Sequence, residues 1–383
     1  MFVFLKRSGS GFGSGSGGRC GVFGILLMVV LAGYPGAQEF SSSLEIDDGC
    51  EPLTVVTVRD AWPGAEPLRY ALVSPGAPVP DGDRFDGVIS VPVQRVVALS
   101  TTVIPHFRDL GVVDRLVGVD LAEHVYDDEV YRRVGRGDVA AVGSAESLNL
   151  ERVVAARPDL IVTSAMGRDD PTLVRLASSG IPVVVLADWR EVSPLGRAEW
   201  IRLFGALFGR RAEADRLFRE RVGRYEEISG RVAAVPEGER PSVFANAPWQ
   251  GTWPVPGGDS YIATLFADGG GRYLWADSPG TGSRFLDLEA VLQRAVNGDF
   301  WFNLNFGWVS REDARRLDSR LTVFKAYRTG QMYHYNRRVR PWGANDFWES
   351  GAARPDVVLA DLVRIMHPEL LPDHELVYYR RLE

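Results

Sequence analysis

Lysine is almost missing. Of 43 basic residues only Lys6 and Lys325 are lysines, and the rest are arginines. Arginine codons are GC-rich, so this reads as codon bias rather than function. Acids outnumber bases, and the formal charge is -7. That argues against a nucleic-acid binder working through a net basic surface. Cysteine is confined to Cys20 and Cys50, which leaves no disulfide framework and no cysteine metal cluster. The five histidines, His106, His124, His334, His367 and His374, are scattered without a helical i, i+4 pair, so direct metal binding fits poorly. There is no G-x-S-x-G elbow, no phosphate-binding P-loop and no G-x-G-x-x-G after a strand. Gly269-Gly270-Gly271 follows a helical segment and reads as a C-cap and turn. Long apolar runs are also missing: the best, 21–32, is too short to cross a hydrocarbon core that needs about 20 residues.

What is present starts with an export signal. Lys6, Arg7 and Arg19 precede the apolar run 21–32 with no acid among them, the layout of a signal peptide removed in the mature chain. Cleavage after Ala32 or Ala37 fits, with an uncleaved anchor as the other reading. Leu31-Ala32-Gly33 looks like a lipobox, but Tyr34 stands where cysteine is required, so a lipid anchor is not supported. Loss of residues 1–37 removes three positive charges and takes the formal charge from -7 to -10. Cys50 is then the one cysteine left, either a buried small apolar residue or a loose thiol, and it cannot make an internal disulfide.

Beyond a polar leader, 38–52, two β-branched runs at 53–59 and 68–73 flank Trp62-Pro63-Gly64 and predict a β-hairpin extension within 38–92. The loop 75–86 carries Asp81, Asp83 and Asp86, a weak match to a calcium loop whose twelfth position is Pro92 instead of glutamate. From residue 93 to 193 short apolar runs alternate with helical stretches, the pattern of a buried parallel sheet. Strands are expected at 96–99, 116–119, 139–142, 160–163 and 183–186. The span 194–236 carries no strand signal, and a helix over 210–233 would be about 36 Å long. A second α/β region, 237–383, has expected strands at 242–245, 300–303, 321–324 and 332–335. The fold class is α/β: two doubly wound lobes joined by one long rigid helix.

Two stretches echo each other. Leu150-Glu151 opens a helix that leads to Asp159 and a strand; Leu288-Glu289 opens a helix that leads to Asp299 and a strand. Asn149 and Asp287 sit at the N-cap positions. A first-turn glutamate is explained by the helix dipole alone; the alternative is that each Glu is exposed at a matching place on one of two pseudo-equivalent lobes.

In its order of motifs the chain resembles the periplasmic substrate-binding proteins of ABC importers for iron–siderophore, haem and cobalamin. The resemblance rests on Arg95-Val96-Val97-Ala98-Leu99-Ser100, Leu116-Val117-Gly118-Val119, Val142-Gly143, Asn149-Leu150-Glu151, Arg157-Pro158-Asp159-Leu160-Ile161 and Gly180-Ile181-Pro182-Val183, and covers about residues 93–367. It implies a class III periplasmic-binding fold, an iron chelate or a corrinoid held between the lobes, no cofactor, no covalent chemistry, and a monomer that docks on an inner-membrane ABC permease through Glu151 and Glu289. The cleft residues it implies are Ser100, Thr101, Thr102, Ser144, Met166 and Trp189 in the first lobe, and Trp249, Trp253, Asn305, Trp342 and Trp348 in the second. Loop tryptophans offer flat apolar area with a polar edge; core anchoring is their other common use. Arg337, Arg338 and Arg340, beside Tyr333 and Tyr335, are candidates to hold an anionic chelate. A secreted hydrolase with paired carboxylates in the cleft is the alternative reading, since such a pair needs no local motif.

Overall fold

The computed structural model describes residues 40–50, 53–80, 84–144 and 147–383. The signal segment, the Cys50 side chain, Asp81 and Asp83 lie outside the described residues.

The expected hairpin is part of a larger sheet. Strands β1 (Leu44–Cys50), β2 (Leu53–Val58), β3 (Leu68–Val73) and β4 (Gly87–Ser90) form a four-stranded sheet in that order. β2 and β3 are the antiparallel hairpin, and β4 joins β3 in parallel. Val56, Val58, Tyr70, Leu72 and Ile89 enter the same hydrophobic core as the first lobe. The extension is therefore packed into the domain rather than appended to it.

The first lobe contains β5 (Val96–Ala98), β6 (Leu116–Val119), β7 (Ala140–Ala141), β8 (Leu160–Thr163) and β9 (Val183–Val185), all parallel in the order β7-β6-β5-β8-β9. Helices α1 (Ile104–Asp109), α2 (Asp128–Arg136), α3 (Leu150–Ala155) and α4 (Pro171–Ala177) connect them. Alternation along the strands fills both faces: Val96, Ala98, Leu160 and Val162 point into one core, and Val97 and Ile161 into another.

Three helices follow, α5 (Pro194–Glu199), α6 (Ile201–Phe208) and α7 (Arg211–Ala233). Gly209, at φ +69°, ends α6 and lets the chain turn into α7. With 23 residues, α7 is about 35 Å long.

The second lobe holds β10 (Ser242–Ala245), β11 (Trp253–Pro256), α8 (Tyr261–Asp268), β12 (Arg272–Tyr273), β13 (Ser283–Leu286), α9 (Leu288–Ala295), β14 (Phe300–Phe302), α10 (Arg311–Leu317), α11 (Lys325–Thr329), β15 (Met332–His334), α12 (Ser350–Ala353), α13 (Pro355–Met366) and β16 (Arg380–Arg381). Its main sheet runs β12-β10-β14-β15-β16, parallel except for β16 at the edge. The expected strand at 321–324 is instead a 3-10 turn over Ser319–Val323, because the Asp318 side chain accepts from Arg320 N and starts a helical turn. Among the described residues no helix is long and apolar enough to cross a membrane.

The sequence echo has a structural counterpart. Asn149 and Asp287 cap α3 and α9 as expected. Asp159 accepts from the backbone N–H groups of Gln94 and Arg95 just before β5, and Asp299 accepts from Ser242 N at the start of β10. Each aspartate thus pins the first strand of its own lobe.

Candidate ligand-binding cleft

In an open α/β sheet, ligands bind beyond the carboxyl ends of the strands where the strand order reverses. In the second lobe that point lies between β10 and β14. β10 is followed by Asn246 and β14 by Asn303, both in the left-handed region at φ +68° and +52°. Asparagine tolerates this conformation better than most residues. The Asn246 side chain donates to Pro254 O (2.7 Å), and Asn303 Oδ1 accepts from the Tyr379 hydroxyl (2.8 Å). Both residues line a cavity of about 640 Å³, a size typical of small-molecule sites.

The cavity is closed by the turn that follows β9, which contributes Trp189, Arg190 and Glu191, and by Arg197 of α5. Arg197 is held by the carbonyls of Asp188 and Trp189 (both 3.1 Å), and its guanidinium lies 4.1 Å from the ring centre of Tyr261 in α8. Among the described residues no carboxylate stands within ion-pair distance of Arg197. With the Asp188 carboxyl nearby but no direct ion pair, its guanidinium can still bind an acidic group on a ligand. Tyr335 and Trp348 complete the aromatic wall, edge to face at 5.2 Å. Burial pushes the Tyr335 hydroxyl up to about 12, so it stays protonated at neutral pH.

The loop after β5 supports this turn from behind. Thr102 Oγ1 donates to the buried Asp188 carboxylate (2.9 Å) and meets Ser100 Oγ at 2.8 Å. Burial raises the Asp188 pKa, and the nearby Arg197 charge opposes the shift.

A second seam joins the lobes. The buried Glu349 carboxylate accepts from Tyr126 N (2.8 Å) and Asp127 N (3.0 Å) of the other lobe. Burial pushes its pKa up to about 8. Arg340 pairs with Asp128 (2.7 Å) and donates to Tyr126 O (2.9 Å). Trp342 stacks on Tyr131 at 3.8 Å and donates to Val125 O (3.0 Å).

The eleven expected cleft residues separate accordingly. Trp189 and Trp348 line the cavity, and Ser100 and Thr102 support it, with Thr101 beside them. Trp253 is a correction: it is 1 % exposed, stacks with Trp301 at 5.4 Å and donates to Ala245 O, so it is a core residue. Trp342 belongs to the interlobe seam. Asn305 caps its own loop by accepting from Gly307 N, and Ser144 bonds the Ser147 hydroxyl. Met166 and Trp249 are exposed, at 72 % and 60 %, and do not line the cavity. Arg338 and Arg340 are taken by Asp346 and Asp128. Arg197, Asn246, Ser260, Tyr261, Ser42 and Asp60 line the cavity without having been expected. An Asn directly after each of two apolar strands was the signal available for Asn246, and the same signal marks Asn303. Among the described residues no group of three or more His, Cys, Asp or Glu is placed to hold a metal ion. The docking candidates Glu151 and Glu289 are both exposed in the first turns of α3 and α9, and Glu289 pairs with Arg320 at 2.6 Å.

Two parallel sheets, a stiff joining helix and a cavity at their facing strand ends define a two-lobed solute receptor. The chain belongs to the periplasmic binding protein family, whose profile matches residues 96–339. That family consists of exported substrate-binding proteins of ABC transporters, so the resemblance drawn from the motifs holds at family level. Among curated proteins, an uncharacterised lipoprotein of Methanocaldococcus jannaschii, MJ0878, is 27 % identical over 317 residues, 79 % of this chain and 73 % of the relative. A second lipoprotein of that organism, MJ0872, is 27 % identical over 330 residues, 82 % of this chain and 80 % of the relative. Among solved structures, a periplasmic heme binding protein from Pseudomonas aeruginosa superposes with a TM-score of 0.56 at 20 % identity, over 76 % of this chain and 98 % of that one. The molybdate-binding protein MolA of Haemophilus influenzae gives 0.56 at 18 % identity, over 75 % and 90 %. At these identities the structures share the fold.

Proposed function

We propose that this protein captures an iron chelate in the interlobe cavity and delivers it, as a monomer, to an inner-membrane ABC permease, without covalent chemistry. The observation that carries the reading is the composition of the cavity. Aromatic faces from Trp189, Tyr335 and Trp348 surround one guanidinium without a direct ion-pair partner among the described residues, that of Arg197. This chemistry suits a bulky, flat-sided complex whose metal is already wrapped by its own oxyanion donors. The export signal, removed near Ala37, fits that role.

Native mass spectrometry of the protein purified from its own host tests the reading. A co-purifying ferric chelate is the expected result; a corrinoid, or any product formed from an added ligand, would replace it. Delivery is tested separately. Glu151→Ala combined with Glu289→Ala should abolish uptake while ligand affinity stays unchanged, since both carboxylates are exposed and neither lines the cavity. Normal uptake by the double variant rejects these residues as the docking pair.

A further inference from the structure

Two residues of the cavity wall come from the chain that precedes the family domain. Ser42 and Asp60 line the cavity but precede residue 96, where the family match begins. Both are held in place by specific contacts. The buried Glu191 carboxylate accepts from the Ser41 hydroxyl, Ser42 N (3.1 Å), Ser43 N (3.2 Å) and the Trp200 indole (3.2 Å). Glu199 accepts from Phe40 N and Ser41 N, both at 2.8 Å. Two carboxylates thereby satisfy the N–H groups of a segment that has no strand partner at that point. Asp60 follows β2 in the left-handed region at φ +53°, and its Oδ2 receives both Arg190 Nε (3.0 Å) and Arg190 Nη2 (2.6 Å).

Arg190 ends the turn after β9 and Arg197 stands in α5, and both face the cavity. Arg190 is paired with the extension, and Arg197 has no direct ion pair among the described residues. We propose that Asp60, carried into the cleft by the N-terminal sheet, sets the charge selectivity of the ligand site. It masks Arg190, so the empty cleft offers a single cation, and an oxyanion group of the ligand competes with Asp60 for that guanidinium. The pair can exchange because the Asp60 side chain is 53 % exposed, and ion pairs this open to water are weak. This inference rests on the cavity being the ligand site and adds to it a specificity-determining residue from outside the family domain.

The test reads the charge with and without a ligand. The Arg190 guanidinium lies 5.4 Å from the Trp189 ring centre, so Trp189 fluorescence senses it. Iodide and acrylamide quenching are compared in the wild type and in Asp60→Asn, each with and without Trp189→Phe to isolate the Trp189 signal. Asparagine accepts the left-handed backbone at this position, so the change removes charge without straining the turn. Iodide quenching of Trp189 should rise by about threefold in Asp60→Asn, uncharged acrylamide should show no change, and Asp60→Glu should restore the wild-type value. Unchanged iodide quenching, or an equal rise with acrylamide, overturns the proposal. Ferric citrate is then titrated as the anionic probe, and Asp60→Asn should bind it about fivefold more tightly than wild type. Equal affinity overturns the selectivity role. If iodide responds and ferric citrate binds neither protein, the masking by Asp60 stands and the chelate reading of the cavity fails.

Discussion

The two lobes solve the same packing problem with different residues. Four of the five strands of the first lobe read VVA, LVGV, LIVT and VVV, short branched chains that fill both sheet faces. The second lobe uses rings. Trp301 lies 5.2 Å from Phe244, 5.4 Å from Trp253, 5.2 Å from Phe324 and 5.7 Å from Trp308, centre to centre, and is fully buried. Aliphatic packing spreads its energy over many small contacts, whereas a ring cluster concentrates it in a few large side chains. The ring-built lobe also supplies the two strained asparagines and the aromatic wall of the cleft. A few large fixed groups hold such strand ends in place.

Four experiments bear on that contrast. The largest effect is expected from Trp301→Ala, which should cost about 4 kcal/mol in urea unfolding; a loss below about 1 kcal/mol would mean the ring cluster is not the main support of its lobe. Next comes the seam between the lobes. Glu349, at about 8, titrates above its ordinary 4.5. Its contribution is complete below pH 4.5 and drains as pH rises toward 8, a loss of about 3 kcal/mol by pH 7 that Glu349→Gln should remove. A wild-type minus variant difference that does not change with pH would exclude this assignment.

Each lobe also buries a histidine that its surroundings hold neutral. Burial pushes His106 in the first lobe and His334 in the second down to about 3. Here the sign reverses: the stability is present above pH 6.5 and is lost as pH falls toward 3. At pH 5 each should cost about 2 kcal/mol, and His106→Phe and His334→Phe should each recover that amount in thermal melts. Recovery from one variant alone would show that the lobes respond unequally to acid. The smallest effect is Ile161→Val in the aliphatic lobe, about 1 kcal/mol by urea titration. A value near that of Trp301→Ala would erase the contrast.

The same difference decided what could be read in the sequence. Val- and Ile-rich runs mean buried strand almost wherever they occur, so β6 and β8 match their expected bounds. Aromatic runs are ambiguous. Trp253 sits between prolines and looks like a loop residue, yet it is core, and 321–324 looks like a strand until Asp318 caps a turn. α2 escaped notice because Val130 is its one buried residue. β1 alternates apolar residues with acids and reads as a polar leader, so the extension was legible as a hairpin and not as a full sheet. In the cleft, Trp189 and Trp348 were legible as aromatic loop residues. Arg197 was hidden among many arginines, and Asp60 depends on a contact 130 residues away that no local pattern encodes.

Phe40 and Val222 of α7 both tie these regions together. Phe40, fixed by the Glu199 clamp, packs against the cores of both lobes and meets Phe218 of α7 edge-on at 6.0 Å. A ring packed on both cores cannot keep both sets of neighbours if one lobe turns against the other. A fluorine label on Phe40 would therefore act as an angle gauge, its NMR shift following lobe rotation without any tag on the ligand or the cleft.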